Sequence, residues 1–159
     1  MDKLKVIKSE ALELLSKIID KPDLEVTDEN GSFMVIIKTE EDAPVVIGRH
    51  GETIKSIQKL LEVILYKKLG ESVEILVNVN DYREKQQERI HEITDKYAEK
   101  TKETGEQSFI RGFSSYERKI AHEYITQNYP ELTTFSEGEG RDRKLIVDLK
   151  ENEQPKDSE

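Results

Sequence analysis

Two clusters of residues in this 159-residue sequence have types and spacings suited to holding a phosphate. In the first, Val45 to Ile54 (VVIGRHGETI), Gly48 and Gly51 flank Arg49 and His50, and a helical pattern resumes at Glu52 or Thr53. A helix N-terminus leaves backbone N–H groups unpaired and carries a partial positive charge, so it attracts anions. Glycines beside it remove the side chains that would hold a nucleic-acid backbone at a distance. In the second cluster, Arg118 and His122 stand four apart in YERKIAHEY, one above the other on a single helix face, with Tyr116 and Glu117 in the first turn. An Arg and a His so placed can hold a phosphate while a nearby aromatic ring stacks on a base. Each pattern also has a plainer reading: a helix–helix turn for the glycines, a solvated helix face for the Arg–His pair.

Other chemistry is poorly represented. The three histidines, His50, His91 and His122, fall in different elements, and none has a second histidine at metal-ligand spacing. His91 stands beside Arg89 and Glu92 and reads as an ordinary surface residue. There is no cysteine, which removes disulfides, thiolate metal sites and cysteine nucleophiles. No P-loop, nucleophile elbow or dinucleotide fingerprint appears. These absences lead us to expect a non-enzyme with no metal and no cofactor.

Charge limits how nucleic acid could be held. The formal net charge is −9. Residues 1–80 hold 11 Lys+Arg against 15 Asp+Glu (−4), and residues 81–159 hold 14 against 19 (−5). Neither half is basic, so any polyanion site must be local: backbone N–H donors, stacking and a few placed cations, with a shallow salt dependence. The N-terminal MDKLKVIKSEALELL is charged every few residues, and no apolar run approaches the roughly 20 residues that span a bilayer. The expectation is a cytoplasmic protein with no membrane insertion.

The elements that must position these clusters follow from periodicity. Leu4, Ile7, Ala11, Leu14, Leu15 and Ile18 predict an amphipathic helix over 3–19, ending before Pro22. LEVT and SFMVIIKT read as strands joined at Asn30-Gly31, a hairpin turn signal. DAPVVI starts a short helix, with Asp42 able to cap it and Pro44 in its first turn. Ile54, Ile57, Leu60, Leu61, Ile64 and Leu65 mark a second helix closed by Gly70, and SVEILVNVN alternates as a third strand. A charged helix then spans DYREKQQERIHEITDKYAEKTKETG, with a thin apolar line at Ile90, Ile93, Tyr97 and Thr101. QSFIRGF reads as a strand. SSYERKIAHEYITQNYP reads as a helix with a Ser114/Glu117 capping box, and LTTFSEGEGRDRKLIVDLK as a hairpin around Gly138 and Gly140. The tail, 151–159, reads as disordered and acidic. The whole is α+β: a three-stranded sheet backed by helices over 1–80, then a small α/β unit over 81–150 reached by the long helix.

With these elements in place, Gly48, Arg49, His50 and Gly51 resemble the GXXG loop of a KH domain, which clamps the backbone of single-stranded nucleotides beside an apolar groove. Ile47, Ile54 and Ile57 supply the apolar flanks for that groove. The helix and strand preceding the core resemble the type II KH arrangement found in bacteria. FSSYERKIAH followed by TTFSEGEGRDRKLIV resembles the Arg-x-x-x-His ("R-three-H") domain, a small α/β module that binds single-stranded nucleic acid. KH followed by this module resembles the Jag, or SpoIIIJ-associated, family of bacterial RNA-binding proteins, and the resemblance covers about residues 2 to 150.

The resemblance implies a KH backbone clamp at Gly48–Gly51 and a signature pair at Arg118 and His122, with Tyr116 as a nearby aromatic. Arg111, Arg141, Arg143 and Lys144 extend the basic surface of the second unit or serve as solvated charges. The partner implied is single-stranded RNA, with single-stranded DNA as an alternative ligand. The competing expectation is a KH module that forms a homodimer or pairs with another KH-domain protein and has weak RNA binding. Departures from the family pattern are Ser115 where proline is usual, and Gln86 and Gln87 where basic residues are usual. Family members commonly carry an additional N-terminal Jag domain, whereas this sequence begins at the KH unit, so roles in cell elongation and division are not carried over.

Overall fold

The computed structural model describes residues 2–153, and the chain divides into two compact units between Arg83 and Glu84. Both are α+β. The first runs α1 (Lys3–Leu15), β1 (Asp23–Glu29), β2 (Ser32–Lys38), α2 (Ala43–Ile47), α3 (Glu52–Leu69), β3 (Glu74–Val79). Asn30 and Gly31, with φ of 58° and 92°, make the left-handed two-residue turn that fixes Glu29 opposite Ser32. β1 pairs antiparallel with β2, and β3 pairs parallel on the other side of β2. Phe33, Val35 and Ile37 of β2 and Ile75, Val77 and Val79 of β3 meet Ile7, Ala11 and Leu15 of α1 and Ile54, Ile57, Leu61 and Leu65 of α3 in one core.

Helix α1 is shorter than its periodicity predicts. The Ser16 hydroxyl donates to the Glu13 carbonyl at 2.7 Å, and the chain leaves the helix there. Ile18 is exposed, and Ile19 takes the buried place in the i, i+4 series of Ile7, Ala11 and Leu15, its N–H bonded to the Leu15 carbonyl at 2.9 Å. Asp42 occupies the N-cap of α2 without a side-chain cap bond; its carbonyl instead accepts from Val45 and Val46 at 3.0 Å. The outer edge of β3 is closed by side chains. Val77 N–H donates to Gln58 Oε1 (3.1 Å), and Arg83 Nε donates to the Val77 carbonyl (2.7 Å). This covers the strand edge at Val77 and anchors the start of α4 (Tyr82–Thr104).

The second unit contains the rest of α4, β4 (Ser108–Ile110), α5 (Ser115–Asn128), β5 (Leu132–Glu137) and β6 (Lys144–Leu149). Its sheet has the order β4-β6-β5, antiparallel throughout. One face, including Ile110, Leu132, Leu145 and Val147, packs with Ile90 and Ala98 of α4 and Ala121 and Ile125 of α5. The buried line of α4 is Ile90, Thr94, Ala98 and Thr101: it keeps the predicted Ile90 and Thr101 and shifts by one residue between them, which leaves Ile93 and Tyr97 half-buried at its side. Thr94 and Thr101 are tolerated in the core because their hydroxyls are bonded, to the Ile90 carbonyl (2.6 Å) and Ser108 Oγ (2.8 Å).

His91 is not an isolated surface residue: its ring stacks on Tyr124 at 4.1 Å. Asp95 accepts from the Tyr124 and Tyr129 hydroxyls at 3.1 and 2.6 Å, and these bonds, with burial leading at Tyr129, push both phenol pKa values up. Of the predicted tail, Lys150–Asn152 form a 3-10 turn in which Asn152 donates to Asp148 at 2.8 Å, and 154–159 lie outside the described residues.

Candidate nucleic-acid interface

The GRHG segment is a tight connection between α2 and α3 that requires glycine. Gly48 has φ 71°, ψ −178°, a region open essentially to glycine alone. A Cβ there would lie 2.8 Å from Thr53 Cβ and 2.9 Å from the Thr53 backbone nitrogen. Gly51 (φ 74°, ψ 17°) forms the N-cap of α3 without any side-chain cap, and a Cβ on it would press on the Tyr82 ring at 3.3 Å. Between them His50 is also left-handed (φ 53°), and Arg49 is exposed, with no carboxylate partner among the described residues. The result is an uncapped helix N-terminus whose approach is lined by glycine backbone, one cation and one imidazole.

Burial distinguishes the three residues expected at the groove. Ile54 and Ile57 are 2% and 3% exposed and belong to the core of the first unit. They support the loop from beneath, because the i, i+3 stripe that identifies α3 points inward. Ile47 is half-buried at the rim, and Val45 beside it is exposed.

In the second unit the Ser114/Glu117 capping box is complete: Glu117 N–H donates to Ser114 Oγ (3.2 Å) and Ser114 N–H to Glu117 Oε2 (2.7 Å). It sets the start of α5 with Ser115 in place of proline. Arg118 folds back onto this start, Nη1 donating to the Phe113 carbonyl at 2.8 Å and Nη2 to Ser115 Oγ at 3.1 Å. That fixes the guanidinium while leaving further N–H donors of its fork for a ligand. His122 Nδ1 is hydrogen-bonded to Thr134 Oγ1 of β5, so Nε2 is the ring nitrogen left to an incoming group.

Arg118 and His122 border an open cleft of about 500 Å³ together with Ser115, Lys119, Thr134, Phe135, Ser136, Arg143 and Leu145. Among the described residues no carboxylate lines it, although the chain holds 34 acidic residues. Of the predicted second-unit residues, the cleft gathers Arg118, His122 and Arg143. Tyr116 (42% exposed) and Arg111 are exposed outside its lining, and Arg141 lies on the 3-10 turn Gly140–Asp142. Lys144 sits on the opposite sheet face, its Nζ 4.6 Å from the centre of the Phe109 ring and 3.9 Å from Glu137. Lys119, Thr134 and Phe135 were not legible as site residues: only the packing of α5 against β5 brings them beside Arg118.

Among the described residues no group of three His, Asp or Glu side chains could hold a metal ion, and no helix is long and apolar enough to cross a membrane.

Residues 8–77 match the KH domain of KhpA/KhpB, and residues 88–149 match the R-three-H domain. The RNA-binding protein KhpB of Lactiplantibacillus plantarum is 32% identical over 106 residues, 67% of this chain and 33% of that protein. KhpB of Streptococcus pneumoniae serotype 2 is 32% identical over 146 residues, 89% of this chain and 44% of that protein. KhpB of Bacillus subtilis is 28% identical over 135 residues, 84% of this chain and 64% of that protein. The chain thus spans between a third and two thirds of the length of these relatives.

Proposed function

The chain belongs to the Jag family, as a KH and R-three-H protein homologous to KhpB, and we propose that it is a cytoplasmic single-stranded RNA-binding protein, not an enzyme, acting as a post-transcriptional regulator or RNA chaperone. The observation that carries this reading is the uncapped N-terminus of α3 behind Gly48 and Gly51, where side chains are excluded and Arg49 is exposed. A phosphate there meets backbone N–H donors and the positive end of an 18-residue helix. The acid-free cleft at Arg118 and His122 supplies a second grip, and tethering two weak sites raises the affinity for a strand that reaches both. The name of these relatives, RNA-binding protein, agrees with this reading.

The test is fluorescence anisotropy of labelled single-stranded RNA with the wild type and the Arg49→Asp/His50→Asp variant. Aspartate tolerates the left-handed backbone of His50, so the loop keeps its shape while its charge reverses. Loss of RNA binding with an unchanged melting curve is expected; unchanged binding sinks the assignment.

A second reading, pairing with itself or another KH protein, is favoured by Leu60, Val63 and Tyr66, which stand 53%, 58% and 59% exposed along α3. Sedimentation of the wild type against Val63→Asp decides it. A dimer that the charge disperses supports pairing, and a monomer in both cases removes it.

A further inference from the structure

The register of the second sheet puts two exposed phenylalanines in one row. Phe109 of β4 and Phe135 of β5 both stand opposite Ile146 of β6, on the face turned away from the α4–α5 core. Phe109 is 38% exposed and Phe135 44%, while Ile146 between them is 2% exposed although it lies outside that core cluster. Two strand spacings of about 4.8 Å separate the rings' backbone positions by about 10 Å. An open sheet face carrying aromatic rings at such intervals is suited to stack unpaired bases, and stacking tolerates any base because each has a π-face.

Two observations connect this row to nucleic acid and not to some other apolar partner. Phe135 also borders the cleft of Arg118, His122 and Arg143 from the edge strand β5, with its ring on the other face of the sheet, so a strand held by the cations reaches the aromatic row by passing round that edge. Phe109 in turn carries the Lys144 ammonium 4.6 Å from its ring centre, a cation placed where a phosphate would leave a base on the ring. The strand carboxylates on this face are engaged: Glu137 with Lys144, and Asp148 with Gln107 at 2.8 Å.

We propose that this face is a base-stacking platform for single-stranded RNA, in which Phe135 takes the base whose phosphate Arg118, His122 and Arg143 hold, and Phe109 takes a neighbouring base. The assignment rests on the RNA-binding reading above and deepens it. Lys144 swings from the Phe109 ring to the adjacent phosphate as the base arrives.

The chain contains no tryptophan, so Phe135→Trp in the full chain creates a single reporter. Its fluorescence is expected to be quenched by a single-stranded oligonucleotide and much less by the same backbone carrying abasic sites. Phe135→Ala and Phe109→Ala should each weaken binding by between about 5-fold and about 150-fold, the conversion of about 1–3 kcal/mol per stacked base. Phe135→Leu, which still shields Ile146, should weaken it comparably, and this guards against a folding defect in the alanine variant. RNA binding that needs Arg118 but is indifferent to Phe135→Ala, or quenching equal with abasic RNA, overturns the platform and leaves the RNA-binding reading intact. Binding that is equally tight with Arg118→Ala overturns the platform alone, and wild type that does not bind RNA overturns the reading and the platform together.

Discussion

Substituting alanine at Gly48 is the sharpest local test of the loop. Two penalties act there. The backbone at φ 71°, ψ −178° is nearly closed to residues with a Cβ, at a cost of about 1–3 kcal/mol. The new methyl also meets Thr53 Cβ at 2.8 Å and the Thr53 nitrogen at 2.9 Å, and backbone does not yield as a long side chain does; overpacking of this kind costs about 1–3 kcal/mol more. Gly70, the cap at the far end of α3, has nearly the same φ, 74°, but open space where a Cβ would go. Gly70→Ala should therefore cost only the left-handed penalty of about 1–2 kcal/mol. The expected gap between the two variants is about 2 kcal/mol, which for a unit of this size is roughly 8–16 °C in melting temperature. Calorimetry of the two variants beside the wild type measures it, and RNA titration reads the loop directly: Gly70→Ala should bind as the wild type, whereas Gly48→Ala should not. Equal melting temperatures, or normal RNA affinity in Gly48→Ala, would refute the claim that loop shape depends on a missing side chain at this position.

Ser114→Ala should lower the stability of the second unit by about 1 kcal/mol and displace the start of α5, because Glu117 N–H loses its acceptor; thermal melting checks the first effect and a weaker RNA complex the second, since Arg118 leans on that turn. Burial raises the Asp148 pKa, but hydrogen bonds from Gln107, Asn152 and the Leu149 N–H outweigh it and hold the carboxyl below its ordinary value. A lowered folded pKa contributes stability above the unfolded value of about 4, lost as pH falls through the folded one. Denaturant titrations between about pH 2 and pH 7 should show that loss in the wild type and a flatter profile in Asp148→Asn. RNA affinity should fall only shallowly with added salt, the logarithmic slope reporting a few neutralised phosphates, because so few cations line the two sites.

Features fixed by local chemistry were legible in the sequence. Asn30-Gly31 dictates its own turn, Ser114 and Glu117 their own cap, and Gly48 and Gly51 announce a backbone that excludes side chains. Features fixed by tertiary competition were not. Ile19, not Ile18, completes the buried i, i+4 series of α1, a choice between neighbouring isoleucines that packing makes. Thr94 occupies a core position that a polarity count assigns to the surface, since its bonding partner, the Ile90 carbonyl, is seen only after folding. Ile54 and Ile57 read as groove because they flank the glycines, yet the stripe that identifies them as helical directs them inward. Phe135 is hidden from sequence reasoning for a topological reason. Alternation shows that it shares a face with Thr133 and Glu137, but the non-sequential order β4-β6-β5 is needed to set it in line with Phe109, and the packing of α5 to set it beside Arg118.

The central claim is that two separate sites on this chain hold single-stranded RNA. Titrating a ladder of labelled RNA lengths against the wild type, Arg49→Asp/His50→Asp and Arg118→Ala tests it most directly. The expected result is an affinity that climbs steeply once the strand is long enough to engage both units, and that either variant returns to the weak level of the shortest RNAs. An affinity independent of length, or one that neither variant alters, would contradict the account.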